Sequence, residues 1–135
     1  MKEVFREGEK KIHRYTVKVE DIAAFESGVV HNVCSTFALA REIEWATRLF
    51  VLEMKEEDEE GIGTSLEIRH KNPVFVGETL TITASFDFLV DGELLCTVKA
   101  MVGSRLIAVG KTGQRIIPVD KLKTRFEELR SKNDG

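Results

Sequence analysis

A hydroxyl, a carboxylate, a glycine turn and a histidine lie within 35 residues of one another in this chain. Thr36 is followed by Glu44 in a mostly apolar segment, and Gly63 and His70 come shortly afterwards. Groups of these types can assemble an acyl-transfer site, in which they surround a reacting carbonyl group. The sequence therefore predicts chemistry on an acyl derivative at these four residues.

Each of the four residues also has an ordinary structural explanation. Glu44 lies four residues before Arg48 and three after Arg41, so it could form an ion pair with either on the helix surface. Thr36 could be a helix N-cap, and His70 could be a core histidine satisfied by a backbone carbonyl. Gly63 could make the turn into a strand. The pattern alone leaves both interpretations open.

The cysteines and histidines offer few alternative catalytic or metal-binding sites. Cys34 lies two residues before Thr36 with His31 nearby, so a Cys-His nucleophile is conceivable, although a small buried cysteine is the simpler interpretation. Cys34 and Cys96 are far apart and the three histidines are dispersed, so no metal site is predicted. His13 is expected at the surface of an early strand.

Length and charge limit the class of protein. With 135 residues, 42% of them hydrophobic, the chain suffices for a single domain, predicted to span residues 1–135. Acids and bases are interspersed and give a net charge of −3, so nucleic acid is not expected as a partner. No apolar run approaches the roughly 18 residues of a membrane span. Two cysteines and no apolar leader predict a cytoplasmic protein with free thiols.

One long helix is predicted to carry the carboxylate. The segment from Ser35 or Thr36 to Met54 lacks Gly and Pro, and either Ser35 or Thr36 would serve as its N-cap. At about 100° per residue, one broad arc of this helix is apolar, with Glu44 at its border. The arc consists of Leu39, Ala40, Ile43, Ala46, Phe50, Val51 and Met54.

Strands are predicted on both sides of this helix. A first strand is expected from about His13 to Val19, and Thr79 to Phe88 alternates polar and apolar residues. Turns at Asp91-Gly92 and Gly103-Ser104 predict an antiparallel meander, and Asp120 is expected to cap a short C-terminal helix. The buried face of the meander is predicted to hold Leu80, Ile82, Ala84, Phe86, Phe88, Leu94, Cys96, Val98, Ala100 and Val102.

These elements predict an α+β hotdog fold. An antiparallel sheet must wrap around one long central helix to bury its apolar arc, and a short C-terminal helix follows. Such a sheet leaves a strand edge exposed, and exposed edges are commonly covered by pairing. We therefore expect a homodimer, or a dimer of dimers, with a sheet that continues across a two-fold axis.

The chain resembles hotdog-fold acyl-CoA thioesterases, in particular the fluoroacetyl-CoA thioesterase-like group. Eight residues separate Thr36 from Glu44 and seven separate Gly63 from His70, both as in that group. The resemblance implies hydrolysis of a short or medium acyl-CoA to the free acid and coenzyme A. It implies no metal or redox cofactor, because coenzyme A enters only as part of the substrate. The other matching segments are Arg6-Glu7-Gly8-Glu9, Trp45-Ala46, Thr64, Gly77 and Gly110-Lys111-Thr112.

The resemblance also implies roles for individual residues. Thr36, Glu44 and His70 correspond to the catalytic residues of the group, and Gly63 to a backbone position beside the thioester. A carboxylate that lines an apolar pocket gains basicity, so Glu44 could attack the carbonyl carbon or activate water. His70 could relay a proton, and Thr36 could orient the carboxylate or hold the oxyanion. The N–H of Gly63 would be a further oxyanion donor.

Helix geometry constrains how these residues meet. Eight residues of straight helix rise about 12 Å, which is too far for a hydrogen bond between Thr36 and Glu44. Thr36 must therefore precede the regular helix and fold back, or the site must combine protomers at a dimer interface. Phe37 and Thr64, which adjoin the key positions, are predicted to bind substrate.

Two further expectations concern the range of functions. Fluoroacetyl-specific members of the group have an aromatic residue in the loop before the helix, where this chain has Val29-Val30-His31. This departure counts against fluoroacetyl specificity. A non-catalytic acyl-CoA sensor or carrier of the same fold is the alternative function, since it would need the groove without the carboxylate. The joint presence of Thr36, Glu44 and His70 favours the enzyme.

Overall fold

The computed structural model describes residues 1–25 and 28–134, in which one long helix packs against an antiparallel sheet. The strands are β1 (Lys10–Thr16), β2 (Ile22–Phe25), β3 (Gly28–Cys34), β4 (Glu59–His70), β5 (Thr79–Val90), β6 (Glu93–Val102) and β7 (Arg105–Pro118). The helices are α1 (Thr36–Met54) and α2 (Val119–Asp134), with a short 3-10 turn at Val19–Asp21. In this part of the chain, neither helix has the length and apolar character that crossing a membrane requires.

The main sheet has five strands in the order β1-β5-β6-β7-β4, and β2 pairs with β3 in a separate hairpin. Helix α1 contacts every strand of the main sheet, so the sheet wraps around it. The core fills the space between them with apolar side chains from α1, β5, β6 and β7. Strands β1 and β4 form the two edges of the sheet. This is the predicted hotdog arrangement.

Helix α1 begins with a capped turn. Ser35 is its N-cap, and the Ser35 hydroxyl accepts a hydrogen bond from the backbone N–H of Ala38 at 3.0 Å. Thr36 is therefore the first helical residue, and its hydroxyl is available for another partner. The predicted arc is buried except for the half-buried Ala40. The buried residues of α1 are Ala38, Leu39, Glu42, Ile43, Ala46, Thr47, Phe50, Val51 and Met54.

The meander follows the predicted turns. Asp91 and Gly92 both have positive φ, at 51° and 78°, as a tight two-residue hairpin turn requires, and Gly103 has a φ of 56° in the next turn. The first strand is Lys10–Thr16, so the predicted strand from about His13 to Val19 lies three residues too late. The expected cap at Asp120 is wrong, because α2 begins at Val119 and Asp120 lies within its first turn.

A β-bulge in β5 overturns one core prediction. Phe86 pairs with Cys96 and Phe88 pairs with Leu95, so Asp87 is an extra residue between them. A bulge reverses the side on which the following residues point. Phe88 is consequently 57% exposed, whereas Phe86 is buried. The expected burial of Val102 is also only partial.

A second bulge lies in β4 and determines which residues face the helix. Relative to β7, Thr64 is an extra residue between Gly63 and Ser65. Strand residues alternate sides, so two residues seven positions apart would ordinarily face opposite ways. The bulge cancels that difference, and Gly63 and His70 both face α1.

Candidate active site

A groove of about 750 Å³ crosses the outer surface of α1 between the two edges of the sheet. Phe37, at 84% exposure, and Trp45, at 43%, leave apolar surface open within it. The helical members recur at three- and four-residue spacing, so they form one continuous stripe. The groove is lined by His13, Phe37, Ala40, Arg41, Glu42, Glu44, Trp45, Arg48 and Leu66.

The Glu44 carboxylate lies directly over Gly63. A methyl group built on Gly63 would come within 2.7 Å of Glu44 Oε1, closer than real side-chain contacts allow. Gly63 and the neighbouring Gly61 both lie inside β4, so the turn explanation for Gly63 is wrong. Glycine at this position leaves the space that the carboxylate occupies.

Glu44 has no ion-pair partner among the described residues. Arg48, one expected partner, donates instead to Glu60 Oε1 at 2.7 Å and to the carbonyl of Gly61 at 3.2 Å. Arg41, the other, donates to Glu42 and Asp21. Hydrogen bonds from Arg48 and from the Gly61 N–H lower the pKa of the Glu60 carboxyl. The ion-pair explanation for Glu44 is therefore wrong, and its carboxylate is available to a ligand.

Thr36 and His70 form a second pair at the N-terminal end of α1. Thr36 Oγ1 lies 3.0 Å from His70 Nδ1, so the imidazole contacts a hydroxyl and not the expected backbone carbonyl. His70 Nε2 is buried and has no hydrogen-bond partner in residues 1–25 and 28–134. Because Ser35 takes the capping role, Thr36 is not needed as the N-cap.

The structure does not bring Thr36 and His70 to Glu44 within one chain. Thr36 starts the regular helix and Glu44 follows two turns later, at a rise of about 12 Å. The expectation that Thr36 precedes the helix and folds back is therefore wrong. One chain contains two half-sites, Thr36 with His70 and Glu44 with Gly63.

Phe37 and Thr64, both expected to bind substrate, lie on different sides of the sheet. Phe37 lines the groove. The hydroxyls of Thr64 and Ser65 instead lie beside Gly113, on the face of the sheet that points away from α1. A Cβ added to Gly113 would come within 2.7 Å of both hydroxyls. The bulge directs the Thr64 side chain away from the groove of its own chain, and its contact with substrate stays a prediction.

A network of five polar side chains, which sequence analysis missed, forms the β1 side of the groove. His13 is not a surface residue, because only 19% of its side chain is exposed and its Nε2 lies 2.9 Å from Glu42 Oε1. Arg41 donates to Glu42 at 2.6 Å and to Asp21 at 2.9 Å. Tyr15 donates to the same Asp21 at 2.5 Å. Glu42 lies within the apolar arc, and a carboxylate there requires a buried hydrogen-bond partner. This was the sequence feature that could have predicted the network.

Opposite charges are paired in this network, where Arg41 contacts both the Asp21 and the Glu42 carboxylates. Burial, followed by the hydrogen bond to Asp21, raises the pKa of Tyr15 to about 12. Burial by itself would raise the pKa of Asp21, but hydrogen bonds from Tyr15, the Lys18 N–H and Arg41 together lower it. Hydrogen bonds to Glu42 and Asp21 raise the pKa of the Arg41 guanidinium. Arg41 is thus a fixed, neutralised part of the groove wall.

The cysteines are not suited to nucleophilic catalysis. Both are free and buried. Burial, followed by the charge of Asp21, raises the pKa of Cys34 to about 11, and burial raises that of Cys96 to about 12. The side chain of His31, the expected partner of Cys34, lies outside the described residues. Within the described chain, no three His, Cys, Asp or Glu side chains converge as a metal site requires.

Comparisons with known proteins agree with this fold. The family model for the fluoroacetyl-CoA-specific thioesterase FlK matches residues 17–120. A hypothetical protein from Thermus thermophilus, described as a thioesterase superfamily member, is 30% identical over 98% of each chain, with a TM-score of 0.91. A variant of FlK is 22% identical over 94% of this chain and 98% of its own, with a TM-score of 0.85. A hot-dog-like protein from Thermanaerovibrio acidaminovorans is 20% identical over 93% of each chain, also with a TM-score of 0.85. Curated proteins give no match.

Proposed function

This chain belongs to the fluoroacetyl-CoA-specific thioesterase family, and from that premise we propose that it hydrolyses a short or medium acyl-CoA to the free acid and coenzyme A. The observation that carries the proposal is the Glu44 carboxylate, which lies over Gly63 in an open groove and forms no ion pair within the part of the chain that the structure describes. A variant of FlK has been solved in complex with fluoroacetate and CoA. The similarity of fold supports an acyl-CoA ligand for this groove.

Glu44 is the proposed source of the attacking group. As a general base, it takes a proton from water while the water oxygen attacks the thioester carbonyl carbon. As a nucleophile, its own oxygen attacks, and water then cleaves the resulting anhydride. In both routes the C–S bond breaks, and the departing sulfur takes up a proton to give the thiol of coenzyme A. The Gly63 N–H is the proposed donor to the oxyanion.

A second copy of the chain completes the proposed site. Thr36 and His70 are too far from Glu44 to act with it inside one chain, and His70 Nε2 is buried without a partner among the described residues. Strand β4 is an edge of the sheet and is exposed from Gly63 to Glu67, which suits pairing with a partner strand. In the resulting dimer, Glu44 acts with the Thr36–His70 pair of the other protomer.

The first prediction concerns Glu44→Ala. Thiol release from acyl-CoAs of increasing chain length should fall at least roughly tenfold in this variant, because the base or nucleophile is lost. Glu53→Ala is the matched control, since Glu53 is an exposed carboxylate on the same helix and contacts Lys11. Cys34 and Cys96 should add little to a thiol assay near neutral pH, because their pKa values are about 11 and 12.

The outcomes separate the two candidate functions. Release by the wild type and by Glu53→Ala, but not by folded Glu44→Ala, would support a thioesterase and give its chain-length range. An unchanged rate in folded Glu44→Ala would remove Glu44 from the mechanism. Binding of acyl-CoA by the wild type without release from any substrate would favour the non-catalytic sensor or carrier.

A further inference from the structure

A buried amide holds the main chain of Glu44 from the sheet side of α1. Gln114, on β7, donates from Nε2 to Thr47 Oγ1 at 2.7 Å and to the Glu44 carbonyl at 3.4 Å. Thr47 Oγ1 donates to the same carbonyl at 2.8 Å. Both side chains are buried. Two buried polar groups therefore converge on one carbonyl of α1.

Gln114 is also the cross-strand neighbour of Gly63 in the pairing of β4 with β7. Two neighbouring positions of the sheet thus contact Glu44. Gln114 contacts its backbone carbonyl, and Gly63 lies against its carboxylate. Burying an amide has a desolvation cost that an apolar side chain of similar size would not have. Packing of the helix on the sheet alone does not account for a polar residue here.

We propose that Gln114, acting with Thr47, is a positioning residue that fixes Glu44 over Gly63, an inference that rests on the proposed thioesterase function. A threonine that bonds back to a carbonyl one turn earlier tends to loosen a helix locally, and Gln114 ties this turn of α1 to β7. Displacing a reacting group by about 1 Å can lower a rate by about a hundredfold. Gln114 acts through Glu44 and is not itself a catalytic residue.

The test is Gln114→Leu, which preserves size and removes the amide. We expect kcat to fall roughly tenfold or more, with KM and the thermal unfolding midpoint little changed, because the carboxylate is present but misplaced. In a Glu44→Ala background the same substitution should have no further effect, since the group that it positions is gone. Thr47→Val should act like Gln114→Leu, and Thr47→Ser should retain the wild-type kcat.

A core substitution provides the control. Val98→Ala removes buried apolar volume from the same face of the sheet and should lower stability without changing kcat. A wild-type kcat in folded Gln114→Leu would overturn the inference. An equal loss of rate in the wild-type and Glu44→Ala backgrounds would do so as well, because Gln114 would then act independently of Glu44.

A readout without turnover keeps the inference separate from the proposed function. If the wild type hydrolyses no acyl-CoA, the proposed function fails, and the ¹³C NMR resonance of the Glu44 side-chain carboxyl then decides the role of Gln114. The resonance, assigned by its loss in Glu44→Ala, should shift or broaden in Gln114→Leu and stay unchanged in Val98→Ala. An unchanged resonance in Gln114→Leu would contradict the positioning role.

Discussion

Two glycines two positions apart in β4 have different neighbours. A Cβ on Gly61 would come within 2.5 Å of Val51 Cγ1 in the core, whereas one on Gly63 would meet the Glu44 carboxylate at 2.7 Å. Val51 is fully buried and cannot move without disturbing the core. The carboxylate is the end of a flexible side chain and can be displaced. The same substitution should therefore affect stability at one glycine and activity at the other.

At Gly63, substitution by alanine should abolish most of the activity while the free energy of unfolding changes by less than about 1 kcal/mol. The added methyl group moves the Glu44 carboxylate off its position and occupies space beside the thioester. Gly61→Ala is the matched control and should lower the unfolding free energy by about 1–3 kcal/mol through overpacking, with kcat retained. Turnover and urea denaturation of both variants test this pair. A fully active Gly63→Ala protein would refute the close contact.

The two bulges explain which structural features followed from the sequence and which did not. Helix α1 and both hairpin turns are local patterns, and they were predicted closely from helix formers and turn residues. Phe88 was misassigned because a bulge depends on the partner strand, which periodicity along one strand cannot reveal. For the same reason, nothing in the sequence alone required Gly63 and His70 to share a face. The spacing shared with a known family associated the two residues, but it does not reveal the face on which either one lies.

The prediction for strand β4 concerns a variant in which Thr64 is deleted. Without the extra residue, β4 would alternate strictly, and Gly63 and His70 could no longer both face α1. Activity should fall roughly tenfold or more, since the Glu44 half-site loses its glycine. Turnover, together with circular dichroism to verify folding, measures the effect.

Thr64→Ala separates the bulge from the side chain. This variant keeps the number of residues in β4, so it should retain the wild-type kcat, because the Thr64 hydroxyl lies on the face away from the groove. A comparable loss in Thr64→Ala and in the deletion would instead support Thr64 as a substrate contact. Full activity in a folded deletion variant would show that the bulge has no role in the site.

The whole molecule, as proposed, is a dimer with two sites, each built from residues of both protomers. In an antiparallel pair of β4 strands, residues opposite each other must point to the same face. A two-fold axis at Glu67 satisfies this rule, provided that Thr64 remains an unpaired bulge. Gly63 of one protomer would then lie opposite His70 of the partner subunit. This register would unite the two half-sites.

Subunit mixing tests this arrangement. Glu44→Ala and His70→Ala should each be inactive as homodimers, but their mixed dimer should regain activity at one of its two sites, where both groups are intact. Turnover after co-refolding equal amounts of the two variants measures the recovery. If each site lay within one chain, every site of the mixed dimer would lack one group, and no activity would return.

The control is a mixture of Glu44→Ala with a variant that carries both substitutions. Such mixed dimers lack Glu44 at both sites and should stay inactive, so any recovery seen with the single variants would come from complementation. A single-chain species in sedimentation, combined with full activity, would contradict the shared site altogether.

The groove contains the only tryptophan of the chain. Trp45 directly follows Glu44, and its indole is partly open to solvent. Indole emission depends on the polarity of its surroundings, and all tryptophan emission of the protein originates from the wall of the proposed site. The molecule thus has a built-in optical reporter of groove occupancy, which needs neither a label nor turnover.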